Sequence, residues 1–371
     1  MRIAFISTIL NYPWGGADTL WTRAAEAACA RGDAILLCLS PLTAAHPRIR
    51  TLVASGCRLH LRSIPPEFPS FSTRLLRSLR FYPPPETDIL RAVRDFAPEL
   101  VIFSQGGTYD LLMHPSLAAW LRACGVPYRV VANWQTEHPT LSSAEQAQVR
   151  EALLDAELLA FVSRRNLEAT QRHLLATLPR ARVLHNPLRE DHTPQPWPGS
   201  PELHLATVSR LDPSKGIHLL LHALAESTAA LPPWRLEIFG IGPQESVLRE
   251  IIAHLGLGVR ATLRGHVGSL REIWANNHLL CAPALDDGVP MTIPEAMLCA
   301  RPVLSTRVGG AEDWIEPDHT GFLCPAATVP LLREALVEAA RAFPRWTAMG
   351  AEAREAAIAI YRPDDYLQLL A

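Results

Sequence analysis

The sequence predicts an α/β protein of two Rossmann-like domains, each a parallel sheet covered on both faces, facing a central cleft. Three observations lead there. Short apolar runs alternate with helical patterns along the whole chain, as parallel strands joined by crossover helices require. The alternation occurs twice, once on each side of residues 193–201, which hold four prolines in nine positions. Proline lacks an N–H and fixes φ, so that stretch suits neither sheet nor helix and reads as the linker. The length of 371 residues exceeds what one core usually organises.

In the first half the strand candidates are 2–8, 34–39, 99–104, 128–133 and 158–163, with helices such as 17–31 and 144–156 between them. In the second half strands read at 203–209, 235–240, 261–264, 278–283 and 302–306, with helices at 217–227, 243–255 and 291–300. The tail from 331 reads as helices with a break at Tyr361-Arg362-Pro363. The expected domains are 1–188 and 189–360, with 361–371 a terminal helix free to return to the first. Open parallel sheets bind ligands beyond the carboxyl ends of their strands, so the loops after each strand are where chemistry is sought.

Composition narrows the classes. A net charge of −2 and a pI near 6.7 give no basic footprint for nucleic acid. Seven scattered cysteines, with no C-x-x-C pair, read as reduced thiols in a cytoplasmic protein. The apolar start at 2–6 is brief and runs into Asn11, Pro13 and two glycines, unlike a secretory signal. No apolar stretch is long enough to span a bilayer. Fourteen histidines show no metal spacing.

Three loops carry chemistry. Lys215 is the only lysine, the other thirty-four basic residues being arginine, and it sits in Ser209-Arg210-Leu211-Asp212-Pro213-Ser214-Lys215-Gly216. A compact ammonium and a planar guanidinium, five positions apart across a turn, can converge on one diphosphate. After strand 278–283 comes Asp286-Asp287-Gly288-Val289-Pro290-Met291-Thr292-Ile293-Pro294-Glu295. Asp287 lies in the loop and Glu295 a turn into the next helix. Each carboxylate can accept hydroxyls from a sugar, with the backbone N–H groups of 291–292 available to phosphate between them. After the first strand, Gly15-Gly16 opens a helix and lets backbone approach an anion, although an ordinary turn explains the pair equally well. It is not the G-x-G-x-x-G fingerprint of nicotinamide enzymes.

With these residues in view, the chain resembles the retaining glycosyltransferases of family 4, with the GT-B architecture. The likeness rests on Gly15-Gly16 after the first strand, on Ser209 to Gly216 as S-R-L-x-x-x-K-G, and on Pro283 to Val303 with its acidic pair spaced as E-x7-E. Lesser matches are Phe161-Val162-Ser163, Asn186-Pro187, Phe239 to Pro243, Gly265-His266-Val267, Val308-Gly309-Gly310 and Thr320-Gly321. The match is strong over 203–325 and loose over 40–130.

The resemblance implies an acceptor-binding first domain and a second domain that binds a nucleotide-sugar donor. It implies that Arg210 and Lys215 neutralise the diphosphate, that Glu295 holds the ribose hydroxyls, and that Asp287 touches the transferred sugar. Gly288, Val289, Pro290, Met291 and Thr292 would grip sugar and phosphate through backbone. Gly240, Gly242, His266 and Val267 would face the base, and Gly15 and Gly16 the diphosphate. Asp287 stands where the family usually has Glu, one methylene shorter. The family's histidine after strand 128–133 has no direct counterpart, and Asn133, Gln135 or His138 could fill its place. No D-x-D motif is present to carry a metal, so fixed cations and helix ends are expected to stabilise the leaving diphosphate, with no cofactor beyond the donor. Some members meet the inner membrane through a basic apolar helix. Residues 71–82, with Arg74, Arg77 and Arg80 among leucines, could do so, could meet a phosphorylated acceptor, or could be a plain amphipathic helix. Trp14, Trp21 and Trp134 are candidates to stack on an acceptor sugar, although a buried tryptophan is commoner, and Ser104-Gln105-Gly106-Gly107 is a candidate to line its side. Two other functions fit the architecture. One is a pyridoxal-phosphate phosphorylase, for which Lys215 alone could form the Schiff base. The other is a non-catalytic nucleotide-sugar-binding protein.

Overall fold

Largely apolar runs with no charged residue inside them, such as Ile3 to Ile6 and Leu203 to Val208, must be covered on both sides, and parallel sheets supply that cover. In the computed structural model, which describes residues 1–9, 14–62, 86–137 and 139–371, these runs are central strands. The chain forms two units: Met1–Pro187 together with Arg362–Ala371, and Leu188–Tyr361.

The first unit contains β1 (Arg2–Ser7), α1 (Gly16–Ala30), β2 (Ala34–Leu39), β3 (Arg58–Leu61), α2 (Glu86–Phe96), β4 (Leu100–Gln105), α3 (Pro115–Ala123), β5 (Tyr128–Ala132), α4 (Ser143–Asp155), β6 (Leu158–Phe161), α5 (Arg164–Leu174) and β7 (Ala181–Val183). Its seven strands are parallel in the order β3-β2-β1-β4-β5-β6-β7. Alternation along β1 sorts the core: Ile3 and Phe5 join the cluster under α1, while Ala4 and Ile6 join the one under α2 and α3.

The second unit contains β8 (Leu203–Val208), α6 (Ile217–Ser227), β9 (Trp234–Phe239), α7 (Glu245–His254), β10 (Ala261–Gly265), β11 (Leu279–Ala282), α8 (Thr292–Leu298), β12 (Val303–Thr306), β13 (Gly321–Cys324), α9 (Val329–Arg341) and α10 (Trp346–Ile360). Six parallel strands run β10-β9-β8-β11-β12-β13. The strand order reverses between β8 and β11, so the loops after these two neighbours lie side by side at the switch point, where such sheets take ligands. Close backbone approach there requires glycine. A Cβ on Gly216, at φ +64, would collide with the Pro283 carbonyl, and one on Gly240, at φ +142, with the Ser209 carbonyl.

Several expectations shift. The proline-rich stretch is not the crossing between units, which falls at Pro187/Leu188. It packs on the second unit, where the buried Arg301 guanidinium donates to Gln195 O at 3.2 Å and Pro196 O at 2.8 Å. The helix expected at 291–300 spans only Thr292–Leu298, because Ala300 adopts a left-handed φ of +59 and Pro302 follows. Strands β3, β7 and β13 were not read from the sequence. The tail Arg362–Ala371 packs on the first unit: Asp365 Oδ2 accepts from His185 N at 2.9 Å and lies 2.8 Å from Nδ1, and Leu369 sits in the α1-side core. Residues 71–82 lie outside the described residues. Among those described, no helix is long and apolar enough to cross a membrane, and all seven cysteines are unpaired.

Candidate active site

Asp212 shapes the loop after β8. Its Oδ1 accepts from Ser214 N at 3.1 Å and Ser214 Oγ at 2.8 Å, capping the turn that carries Lys215. Its Oδ2 lies 3.4 Å from Arg210 Nη2. Burial pushes the Asp212 pKa up, but the Ser214 hydrogen bonds and the nearby Arg210 and Lys215 outweigh it and hold it below the ordinary value. Ser214 O then accepts from Leu285 N at 2.7 Å and Asp286 N at 3.3 Å, tying this loop to the one after β11. The tie brings Lys215 Nζ to 2.6 Å from Asp287 Oδ2, with both side chains about one-fifth exposed. Arg210, Lys215 and Asp287 therefore share one hydrogen-bonded arrangement.

Glu295, in the first turn of α8, is buried, and its carboxylate is engaged by Arg189. Arg189 was missed from the sequence; it follows the noted Asn186-Pro187 pair, but nothing about an arginine near a domain crossing marks it for a distant glutamate. Between the two acids, Gly288 O accepts from Gly310 N at 3.0 Å, Ile293 N donates to Pro290 O at 3.0 Å, and Val289, Met291 and Thr292 are half-buried. The loops after β8, β9 and β10 are stitched together: Leu211 N donates to Ile241 O at 3.0 Å and Gly240 N to Gly265 O at 2.8 Å. Gly242 packs directly on the Leu211 backbone. His266 is exposed and Val267 half-buried on the next loop.

In the first unit, Gly15 and Gly16 open α1, but the Gly15 N–H is already taken by Asp18 Oδ2 at 3.1 Å. Asp18 also accepts from Trp21 Nε1 at 3.3 Å, and Trp21 is buried. Trp21 therefore has the commoner, buried role and cannot stack on a sugar. Trp14 stacks on His46 with ring centroids 3.6 Å apart, and Trp134 is half-buried. Asn133 Nδ2 donates to Ser104 Oγ at 3.0 Å and Gln105 O at 2.8 Å. Asn133 Oδ1, Gln135 Oε1 and Gln105 Nε2 are buried with no hydrogen-bond partner among the described residues. His138 lies outside the described residues. Among those described, no three His, Cys, Asp or Glu side chains gather as a metal-ligand set.

Residues 202–341 match the family model described as "Glycosyl transferases group 1". That span contains the whole arrangement from Arg210 to Glu295. Among curated proteins, the chain is 32% identical over 157 residues to a GDP-mannose-dependent monoacylated alpha-(1-6)-phosphatidylinositol monomannoside mannosyltransferase of Corynebacterium glutamicum, covering 40% of this chain and 41% of that protein. It is 29% identical over 215 residues to an exopolysaccharide phosphotransferase of Streptomyces coelicolor, covering 57% of this chain and 22% of that protein. The chain thus aligns with well under half of either relative. Among solved structures, Anabaena HepE in complex with UDP superposes with a TM-score of 0.71 at 18% identity, covering 100% of this chain and 98% of that one. The fold is therefore GT-B, two parallel-sheet α/β units, as the sequence predicted.

Proposed function

We propose that this chain is a glycosyltransferase that moves a sugar from a nucleotide diphosphate sugar to a glycan, lipid-linked or small-molecule acceptor, with retention at the anomeric carbon and without a metal. The observation that carries this reading is the Lys215–Asp287 contact at 2.6 Å, within a span matching the group 1 glycosyl transferases. It sets a cation for phosphate beside an acceptor for sugar hydroxyls, the two halves of a nucleotide-sugar donor. An ammonium has three donors; Asp287 takes one and leaves two for phosphate oxygens. Arg210, turned by Asp212, adds a second cation. Because α8 has only seven residues, its terminal field is modest and the two side-chain cations carry most of the stabilisation of the leaving diphosphate.

In the reaction, the acceptor oxygen bonds to the anomeric carbon as the carbon–oxygen bond to phosphate breaks. The acceptor proton passes to the departing phosphate oxygen. No enzyme nucleophile is needed, and the chain's task is to orient the donor and compensate its developing charge. The names of the HepE complex with UDP and of the GDP-mannose-dependent relative support a nucleotide-sugar donor. The phosphatidylinositol monomannoside in that relative's name supports a lipid-linked acceptor.

A thermal-shift panel of nucleotide sugars identifies the donor through the stabilisation that ligand binding confers. With that donor, Lys215→Ala is expected to lower turnover by roughly 10² to 10³, as for loss of one preorganised charge donor. Near-normal turnover in the variant overturns the assignment. Wild-type transfer is expected to persist in excess chelator; abolition with rescue by a divalent ion refutes the metal-free claim.

A further inference from the structure

Glu295 is only 4% exposed, yet Arg189, whose side chain is 30% exposed, reaches it from the start of the second unit. Nε donates to Oε1 at 3.0 Å, Nη2 to Oε2 at 2.7 Å, and the Arg189 backbone N–H to Oε1 at 3.3 Å. The segment is pinned on both sides. Leu188 N donates to Tyr361 Oη at 2.9 Å, and Asp191 Oδ2 accepts from Leu270 N at 2.7 Å and Ser269 Oγ at 3.1 Å. An ionised carboxylate offers about four lone-pair positions. Two on Oε1 are filled by Arg189, and one on Oε2.

We propose that Arg189 is a positioning residue of the nucleotide site: it keeps the Glu295 carboxylate turned so that Oε2 alone is open, and Glu295 accepts one ribose hydroxyl rather than both. This inference rests on the proposed reading of Glu295 as the ribose-binding residue. A bidentate guanidinium fixes the plane of the carboxylate, which a lysine ammonium in the same place cannot do. Burial alone would lower the Arg189 pKa; the bonds to Glu295 outweigh it and raise it.

The experiment is calorimetric binding of the nucleoside diphosphate matching the donor, and of its 2′-deoxy and 3′-deoxy forms, at one fixed pH. Wild type, Arg189→Ala, Arg189→Lys and Lys215→Ala are compared. For wild type, one deoxy form is expected to bind about tenfold more weakly, the loss of one hydrogen bond to a charged group, with the other nearly unaffected. Arg189→Ala is expected to bring the two deoxy forms to similar affinity. Arg189→Lys should lose the preference as well, and it carries the test if the alanine variant does not fold. Lys215→Ala should weaken all three ligands alike and leave their ratio intact.

Retention of the wild-type deoxy ratio in both Arg189 variants overturns the positioning role. Equal losses for the two deoxy forms in wild type overturn the single-hydroxyl claim. Failure of wild type to discriminate against either deoxy form instead refutes the ribose role of Glu295, on which the inference stands.

Discussion

Asp18 shows what a single carboxylate costs at a helix start. It is fully buried, and burial drives its pKa up from 3.8 to about 6 despite hydrogen bonds from Gly15 and Trp21. A folded-state pKa above the unfolded one means that folding favours the protonated form. The associated stability is complete below the unfolded pKa and fades as pH rises from about 4 through 6. The shift corresponds to about 3 kcal/mol across that window. Asp18→Asn, which cannot ionise, is expected to flatten this part of the stability–pH curve in urea titrations; an unchanged slope between pH 4 and 6 refutes it. At neutral pH the ionised Asp18 already occupies the Gly15 N–H, so an anion at the head of α1 would meet a like charge. The Gly-Gly pair was legible in the sequence; its occupant was not, because an acid three residues on looks like any first-turn helix residue. Lys215 was legible for the opposite reason: it breaks the chain's otherwise uniform use of arginine. Arg189, one of that uniform set, stayed hidden.

Among the elements, the central strands were legible, and of the four edge strands only β10 was. Runs such as β1, β4 and β8 are apolar on both faces and stand out. β3 reads RLHL and is mostly exposed, β7 has three residues, and β13 opens on glycine. All three lie at sheet edges, where one side lacks a neighbour and sequence constraint relaxes. The proline-rich stretch misled for a related reason: a segment without regular structure can still be a packed surface. Arg301 is the device that packs it. Its guanidinium donates to the carbonyls of Asn277 at 2.8 Å and Trp274 at 2.7 Å as well as to those of Gln195 and Pro196. Its pKa is lowered to about 10 by burial, and Trp197 lies 5.1 Å from it, ring centroid to guanidinium. Arg301→Met leaves several buried carbonyls without donors and is expected to destabilise the protein by about 3 kcal/mol. Chemical denaturation measures it, and a loss within about 0.5 kcal/mol, the range of a surface substitution, refutes the structural role.

Across the whole molecule, the motifs that pointed to sugar transfer cluster in Leu188–Tyr361, and the loose match over 40–130 lies in the other unit. The residues proposed to bind the donor could therefore be read from sequence, since phosphate and ribose would impose fixed chemistry on the residues that meet them. The buried, partnerless polar atoms of Gln105, Asn133 and Gln135 could not, because these residue types have many ordinary uses.

The hydrogen bond from Leu188 N to Tyr361 Oη joins the two ends of the second unit, and Arg362–Ala371 belongs to the first. Topologically, the later unit is a cassette spliced into the earlier one. A stop codon placed just after Tyr361 would spare every residue proposed to bind the donor, and the damage would fall on the unit that the ribosome had made first.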